Sequence, residues 1–166
     1  MNHTAWAAAA AAVFLTGCAG YRLGSTLPPD LRTVHVPPFV NRVGEPQLDS
    51  AATRATIQEF QRDGNLRLAD ADLADAVLRV TLTGFELEPL RYDRDQSKTA
   101  REYRLRITAE LTLQRRGAAG PEMQRRVQGE TTFDFAGDLS SAKQRALPDA
   151  ARDLAHQIVS AVVEYW

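Results

Sequence analysis

Apolar and polar residues alternate with a period of two over three long runs in the second half of the chain. In the first run Leu78, Val80 and Leu82 share one side, and past Gly84 the phase shifts to Phe85 and Leu87. A phase change at a glycine predicts a bulge or bend there. In the second, Tyr103, Leu105, Ile107, Ala109, Leu111 and Leu113 oppose Arg104, Arg106, Thr108, Glu110, Thr112 and Gln114. The third runs from Met123 through Val127, Thr131 and Phe133 to Phe135, with Gln124, Arg126, Gln128, Glu130 and Thr132 opposite. Strict alternation predicts strands with one buried and one polar face, as in an antiparallel sheet.

Two segments carry the helical period instead. In Leu48 to Arg62, Thr53, Ile57 and Phe60 fall on one face beside Ala52 and Thr56. Asp49 or Ser50 is placed to cap its start, and Gly64 to end it in a left-handed turn. The last helix sets Ala150, Leu154, Ile158, Ala161 and Tyr165 on one face, with Pro148 either in its first turn or kinking a helix that begins near Ser141. Leu31 to Val36 reads as a strand stopped by Pro37-Pro38, Asn41 to Pro46 as a loop, Leu66 to Ala69 as a short strand and Asp70 to Asp75 as a polar connection. The predicted order is β-α-β-β-β-β-α. Amphipathic helices and half-buried strands bury their apolar surfaces together in a two-layer α+β sandwich, with two helices on one face of a mainly antiparallel sheet of four to five strands. The other face of that sheet is polar, regular and rich in Arg, Thr, Gln and Glu.

The amino terminus has a different pattern. An apolar run from Ala5 to Leu15 leads into Leu15-Thr16-Gly17-Cys18, which holds the only cysteine of the chain. A lone thiol makes no internal disulfide and completes no cysteine metal site. Leu at −3, small residues at −2 and −1 and an obligatory Cys match the signal of bacterial lipoproteins, in which the cysteine sulfur receives a diacylglyceryl group. The apolar run is shorter than the roughly 20 residues a membrane-spanning helix needs, so it reads as a signal segment. The expected organisation is a signal peptide over 1–17, a lipidated tether over 18–30 and a single domain over 31–166. Ala19 follows Cys18 in place of the Asp that retains lipoproteins in the inner membrane, which makes a Gram-negative outer membrane the expected address, with the domain facing the periplasm. The stretch Met1-Asn2-His3-Thr4 departs from such signals in carrying no Lys or Arg.

Composition fits a folded body: 44% hydrophobic residues can supply a core and 25% charged residues a wet surface. A formal net charge of −1 argues against generic nucleic-acid binding. Catalytic patterns are missing. Past the signal only His35 and His156 remain, neither in metal-ligand spacing, and there is no phosphate-binding glycine loop, G-x-S-x-G or H-E-x-x-H. Glu86 and Glu88 share a strand face and could imitate a carboxylate pair, but a solvated face explains them as well. No enzyme, cofactor or metal is expected.

One basic constellation stands out. The connection Pro89 to Arg101 sets Arg91, Arg94, Lys98 and Arg101 against Asp93 and Asp95, and the exit of the third long strand leads through Gly137 to Lys143 and Arg145. In an up-and-down sheet these segments share one end of the domain. Arg as a bidentate fork and Lys as a point charge suit phosphate oxygens, although an ordinary solvated hairpin has the same composition.

Cys18-Ala19-Gly20-Tyr21-Arg22-Leu23-Gly24 resembles the opening of the LptE family of lipopolysaccharide-assembly lipoproteins. The resemblance continues through Arg32 to Phe39, Asn41-Arg42, Glu59-Phe60 and Ala74 to Leu78, and is strongest at Tyr92-Asp93-Arg94 and Glu102-Tyr103-Arg104-Leu105. It implies a non-enzymatic outer-membrane lipoprotein that plugs the lumen of the LptD-type assembly barrel and assists delivery of lipopolysaccharide to the cell surface. It also implies a ligand for the basic tip, the phosphates of lipid A, with Arg94 and Lys143 as first contacts and Arg91 and Lys98 next. The segment Ala74 to Gly84 is similar as well to strands of TolB amino-terminal and CsgG-like modules, which leaves a periplasmic adaptor for another envelope complex or secretion pore as the alternative.

Overall fold

A computed structural model describes residues 27–92, 100–135 and 137–166. The expected signal peptide and nearly all of the expected tether lie outside them. In chain order the elements are β1 (Thr33–His35), β2 (Val40–Asn41), α1 (Leu48–Asp63), β3 (Arg67–Leu68), β4 (Ala76–Tyr92), β5 (Ala100–Arg115), β6 (Met123–Asp134) and α2 (Leu139–Val163). The strands form one sheet ordered β3-β1-β4-β5-β6, with β2 also on β4. The long strands β4, β5 and β6 pair antiparallel, and the short ones join in parallel.

The two-layer α+β architecture is the one expected, but the sheet is mixed and has six strands. The extra strand follows from Pro37-Pro38. Proline has no amide hydrogen to give to a ladder, so the chain leaves β4 after His35 pairs with Val77 and returns where Val40 pairs with Thr81. Asn41, expected in a loop, ends this second contact. Its side-chain Oδ1 accepts from the amides of Val43 (3.1 Å) and Gly44 (3.2 Å), which turns the chain away from β4.

Both helices lie on one face, where α1 packs on α2 and α2 on β5 and β6. Between the layers Val34, Leu78, Val80, Leu82, Leu105, Ile107, Leu111 and Leu113 meet Leu48, Phe60, Leu154 and Ile158, all buried. Each such side chain contributes about 1.5–3 kcal/mol on leaving water. The inward faces of β5 and β6 are those the alternation predicts. The helix faces turn slightly. On α1 the buried residues are Leu48, Ala52, Thr56, Glu59 and Phe60, while Thr53 and Ile57 are half-buried. On α2 they include Ala150, Ala151, Leu154, Ala155, Ile158 and Val159, with Tyr165 at 38% exposure beyond the helix end.

The start of α1 also departs from expectation. Neither Asp49 nor Ser50 caps it: the cap position is Gln47, with φ 62° and no side-chain hydrogen bond. Because the chain enters through this left-handed residue, Asp49 and Ser50 already lie in the first turn, where a carboxylate still favours the helix dipole. Gly64 ends the helix as predicted, with φ 76° and its amide donating to the Phe60 carbonyl at 3.1 Å. In α2, Asp138 is the cap and accepts from the amides of Ser140 (3.1 Å) and Ser141 (2.9 Å). The Ser141 hydroxyl first, and then these amide bonds, hold its carboxyl below the ordinary carboxylate range. Pro148 is interior and exposed, so the carbonyl it leaves without an i→i−4 donor lies on the wet side of the helix.

Asp75, inside the predicted polar connection, ties β1 to the start of β4. Its Oδ2 accepts from the amides of Arg32 (3.0 Å) and Thr33 (2.9 Å) and from Thr33 Oγ1 (2.8 Å). These bonds, the Arg32 amide first, lower its pKa below the usual 3.8. A lowered folded-state pKa means that the carboxylate stabilises the fold above its unfolded pKa, and that this contribution is lost as the pH falls through the folded one. Asp75→Ala is therefore expected to lower stability by about 1–2 kcal/mol at neutral pH. In urea titrations the gap to the parent chain should narrow as the pH falls through the lowered folded-state pKa.

A second prediction concerns the layer contact. A Cβ on Gly129 of β6 would collide with the backbone of Leu154 on α2. Backbone on both sides has no rotamer to change, so Gly129→Ala is expected to cost about 3 kcal/mol or more. A melting temperature equal to that of the parent would contradict this close approach.

Candidate binding surface on the open sheet face

The face of the sheet away from the helices carries the outward half of each alternation. β4 contributes Val77, Arg79 and Thr81 and, past the bulge, Glu86 and Glu88. β5 sets Gln114, Thr112, Glu110, Thr108, Arg106 and Arg104 beside them, and β6 adds Gln124, Arg126, Gln128, Glu130 and Thr132. Glu86 and Glu88 are not an acid–base pair. They stand opposite Arg106 and Arg104 in register, and Glu130 lies across Arg106 from the other side. Arg106 reaches Glu86 at 3.6 Å and Glu130 at 3.5 Å, and Arg104 reaches Glu88 and Glu130 at 3.7 Å.

These distances exceed a direct hydrogen bond. Glu86, Glu88 and Glu130 remain 65%, 56% and 50% exposed, so each pair contributes at most about 1 kcal/mol. The network ends in a neutral band where Gln128 donates to Thr108 Oγ1 at 3.2 Å. Beyond it Arg79 donates to Gln114 at 3.0 Å. The surface offers donors and acceptors in a flat, regular array and very little apolar area. It can adhere to another polar surface, and beside Glu110, Thr112, Gln124 and Arg126 it carries an open depression of about 430 Å³.

The basic end is only partly assembled as the sequence suggests. Asp134 pairs with Glu102, and the Phe135 amide donates to the Arg101 carbonyl at 2.7 Å, so the exit of β6 and the start of α2 do reach the base of the β4–β5 hairpin. Arg91 is there, 74% exposed and 3.1 Å from Glu102. Arg94, Lys98 and Cys18 lie outside the described residues. Lys143 points elsewhere. Its ammonium is 2.7 Å from Glu45, with side-chain exposures of 23% and 18%, and lies 5.6 Å from the centre of the Phe85 ring. The sequence held no sign of the Glu45 contact, which joins a loop to a helix almost a hundred residues away.

Both described histidines and the Asp30–Arg115 pair make structural contacts. His35 Nδ1 meets the Ala69 carbonyl at 3.1 Å and His156 Nδ1 meets Glu59 at 3.1 Å. Asp30 and Arg115 form a bidentate pair at 2.8 and 3.0 Å, which lowers the carboxyl pKa and raises that of the guanidinium. Among the described residues no cluster of His, Cys, Asp or Glu is arranged to hold a metal, and no helix is long and apolar enough to cross a membrane. A groove of about 480 Å³ between α1 and the β1–β3 edge is lined by His35, Val36, Ile57, Leu68, Asp70 and Leu73, with Asp70 supplying a carboxylate.

A family model described as lipopolysaccharide-assembly, LptE, matches residues 31–162. Among curated proteins no sequence match was found. The fold is similar to that of rare lipoprotein B from Shewanella oneidensis, at 14% identity and TM-score 0.53, covering 81% of this chain and 96% of that one. It is similar to a minor lipoprotein from Acinetobacter baumannii, at 14% identity and TM-score 0.50, covering 81% and 92%. A protein from Xanthomonas campestris aligns at 12% identity and TM-score 0.57, covering 82% and 89%. At such identities the likeness concerns the fold alone.

The contacts of Lys143 generate a prediction. Lys143→Ala leaves Glu45 half-buried without its cation and is expected to lower stability by about 1–2 kcal/mol, and the Glu45→Ala/Lys143→Ala pair should recover part of the loss. A double-mutant cycle in urea reads the coupling directly, and an interaction energy of zero would mean that the contact does not hold the loop.

Proposed function

The chain belongs to the LptE lipopolysaccharide-assembly family, and from that premise we propose that it is a lipid-anchored, non-catalytic plug of an LptD-type outer-membrane β-barrel. In this reading an acyl-modified Cys18 tethers the domain to the outer membrane, facing the periplasm. One acyl chain binds only marginally, and several hold firmly. The domain then enters the barrel with its sheet against the wall and assists the passage of lipopolysaccharide to the cell surface. The observation that carries the reading is the open sheet face, with its alternating Arg–Glu rows and Thr–Gln band. The lumen of an outer-membrane barrel is polar, and a polar array without apolar area adheres there while remaining soluble outside.

The basic hairpin end supplies the second half of the reading. Arg91 is largely exposed and retains donors beyond its contact with Glu102. Arg94 and Lys98 follow it in the chain, and in this reading the three act together as cations suited to the phosphates of lipid A. Lys143 belongs to the same proposed set, but a phosphate reaches its ammonium only by displacing Glu45.

One experiment with two arms tests both halves. Charge reversal of the tip (Arg91→Glu, Arg94→Glu, Lys98→Glu) is expected to weaken lipopolysaccharide binding by roughly tenfold or more, in a salt-sensitive manner, while leaving barrel co-purification intact. Bulk on the open face (Thr112→Trp with Arg79→Glu) is expected to do the reverse. Unchanged lipopolysaccharide binding in the first variant removes the tip assignment. Full barrel recovery with the second removes the docking face.

A further inference from the structure

Among the described residues nothing guards the upper edge of β4. On that side β4 pairs with β1 at Ala76–Val77 and with β2 at Thr81–Leu82, and the Arg42 amide makes a last contact to the Leu82 carbonyl at 3.1 Å. From Gly84 on, no strand among the described residues pairs with that edge, although β5 continues along the other one to Tyr92. Pro89 and the register shifts around it limit the regular run to Gly84 through Glu88, about the length of an average strand. The other long edge, on β6, is guarded differently. There Asp153 of α2 takes the Glu130 amide at 2.8 Å, and Tyr165 binds the Glu122 carbonyl at 2.9 Å just before the strand.

An exposed run of unpaired amides and carbonyls is a template for another strand, and the charges beside it select which one. On the open face the rows read Glu130–Arg106–Glu86 and Thr132–Arg104–Glu88, so both end on glutamate at the free edge. A strand added there sets its own side chains directly opposite those glutamates, where opposite charges stabilise and like charges repel. A second copy pairing antiparallel through the same run would set Glu86 and Glu88 against each other. On the helix side the neighbours are Phe85 and Leu87, each partly buried and packed against the core, which favours apolar residues at the alternate positions. We infer that β4 from Gly84 to Glu88 receives an extended strand of a different polypeptide, with basic residues toward the open face and apolar ones toward the helices. This needs only the free edge and its charges, so it stands or falls separately from the barrel reading.

The test uses the full chain in detergent and two short synthetic peptides, one alternating arginine with valine and one alternating glutamate with valine. The arginine peptide is expected to bind at least about fivefold more tightly by fluorescence anisotropy, as two exposed cross-strand ion pairs allow. It should also slow hydrogen exchange at those amides of residues 84–88 that point away from β5. In Glu86→Lys/Glu88→Lys the preference should reverse with the fold intact, because the replaced ion pairs are exposed. Equal binding of both peptides, binding of neither, or protection elsewhere overturns the inference. So does self-association through this edge, or protection in the free chain of those amides among residues 84–88 that point away from β5, since either would mean that the edge is already filled.

Discussion

Strand β4 keeps pairing with β5 over seventeen residues only because it takes one extra residue between Leu82 and Gly84. Before the shift Leu82 faces Ala109 in the core, and after it Phe85 faces Ile107, three residues along one strand against two along the other. A strand without that step would carry Gly84, Glu86 and Glu88 inward and Phe85 and Leu87 outward, since side chains alternate with a period of two. The bulge therefore decides on which face Glu86 and Glu88 lie. Thr83 is the added residue, and its hydroxyl is buried without a partner among the described residues. Gly84 follows because a Cβ there would stand 3.1 Å from the Thr108 side chain, which is itself only 3% exposed. Local discomfort at one turn of the ladder aligns two glutamates with two arginines.

That alignment contributes little to stability. The ion pairs are long and their acids mostly exposed, and such contacts are screened by salt and weakened by the entropy of holding long side chains. The fold is held elsewhere, by the buried aliphatic layer, by the close approach of Gly129 to Leu154 and by the Asp75 tie between β1 and β4. A regular charged array that the fold does not need is better understood as a surface shaped for contact. It keeps the exposed side of a thin two-layer domain wet when free and offers matched charges to a polar neighbour when bound.

Much of this was legible in the sequence, for a definite reason. Period-two alternation is a direct record of burial, so the faces of β5 and β6, the phase change at Gly84 and the polar outer side could be read from residue order alone. The helix faces were read less well, because a stripe set by 3.6 residues per turn drifts, and small residues such as Ala151 and Ala155 are as fully buried as Leu154 beside them. Short parallel pairings left no local trace. β2 exists because β4 offers partners at Thr81 and Leu82, which no pattern within Val40–Asn41 announces. The basic tip was half visible for the same reason. Composition placed Arg91 near the hairpin, but nothing near Lys143 in the chain reveals that Glu45 will neutralise it.

Glu45 and Lys143 bear on the free edge as well. After Arg42 the Asn41 side chain turns the backbone off β4, and Asn41 Nδ2 then donates to the Glu45 carbonyl at 2.8 Å. The carboxylate of the same Glu45 is bound to Lys143, whose ammonium lies over Phe85, the first large side chain past the bulge. The loop is thus fixed to α2 on the helix side of the sheet, and it cannot continue along β4 as a longer β2 would. A lysine that looks like a ligand for phosphate in the sequence acts in the fold to hold a loop back. By doing so it leaves one strand of the sheet ready to accept a neighbour.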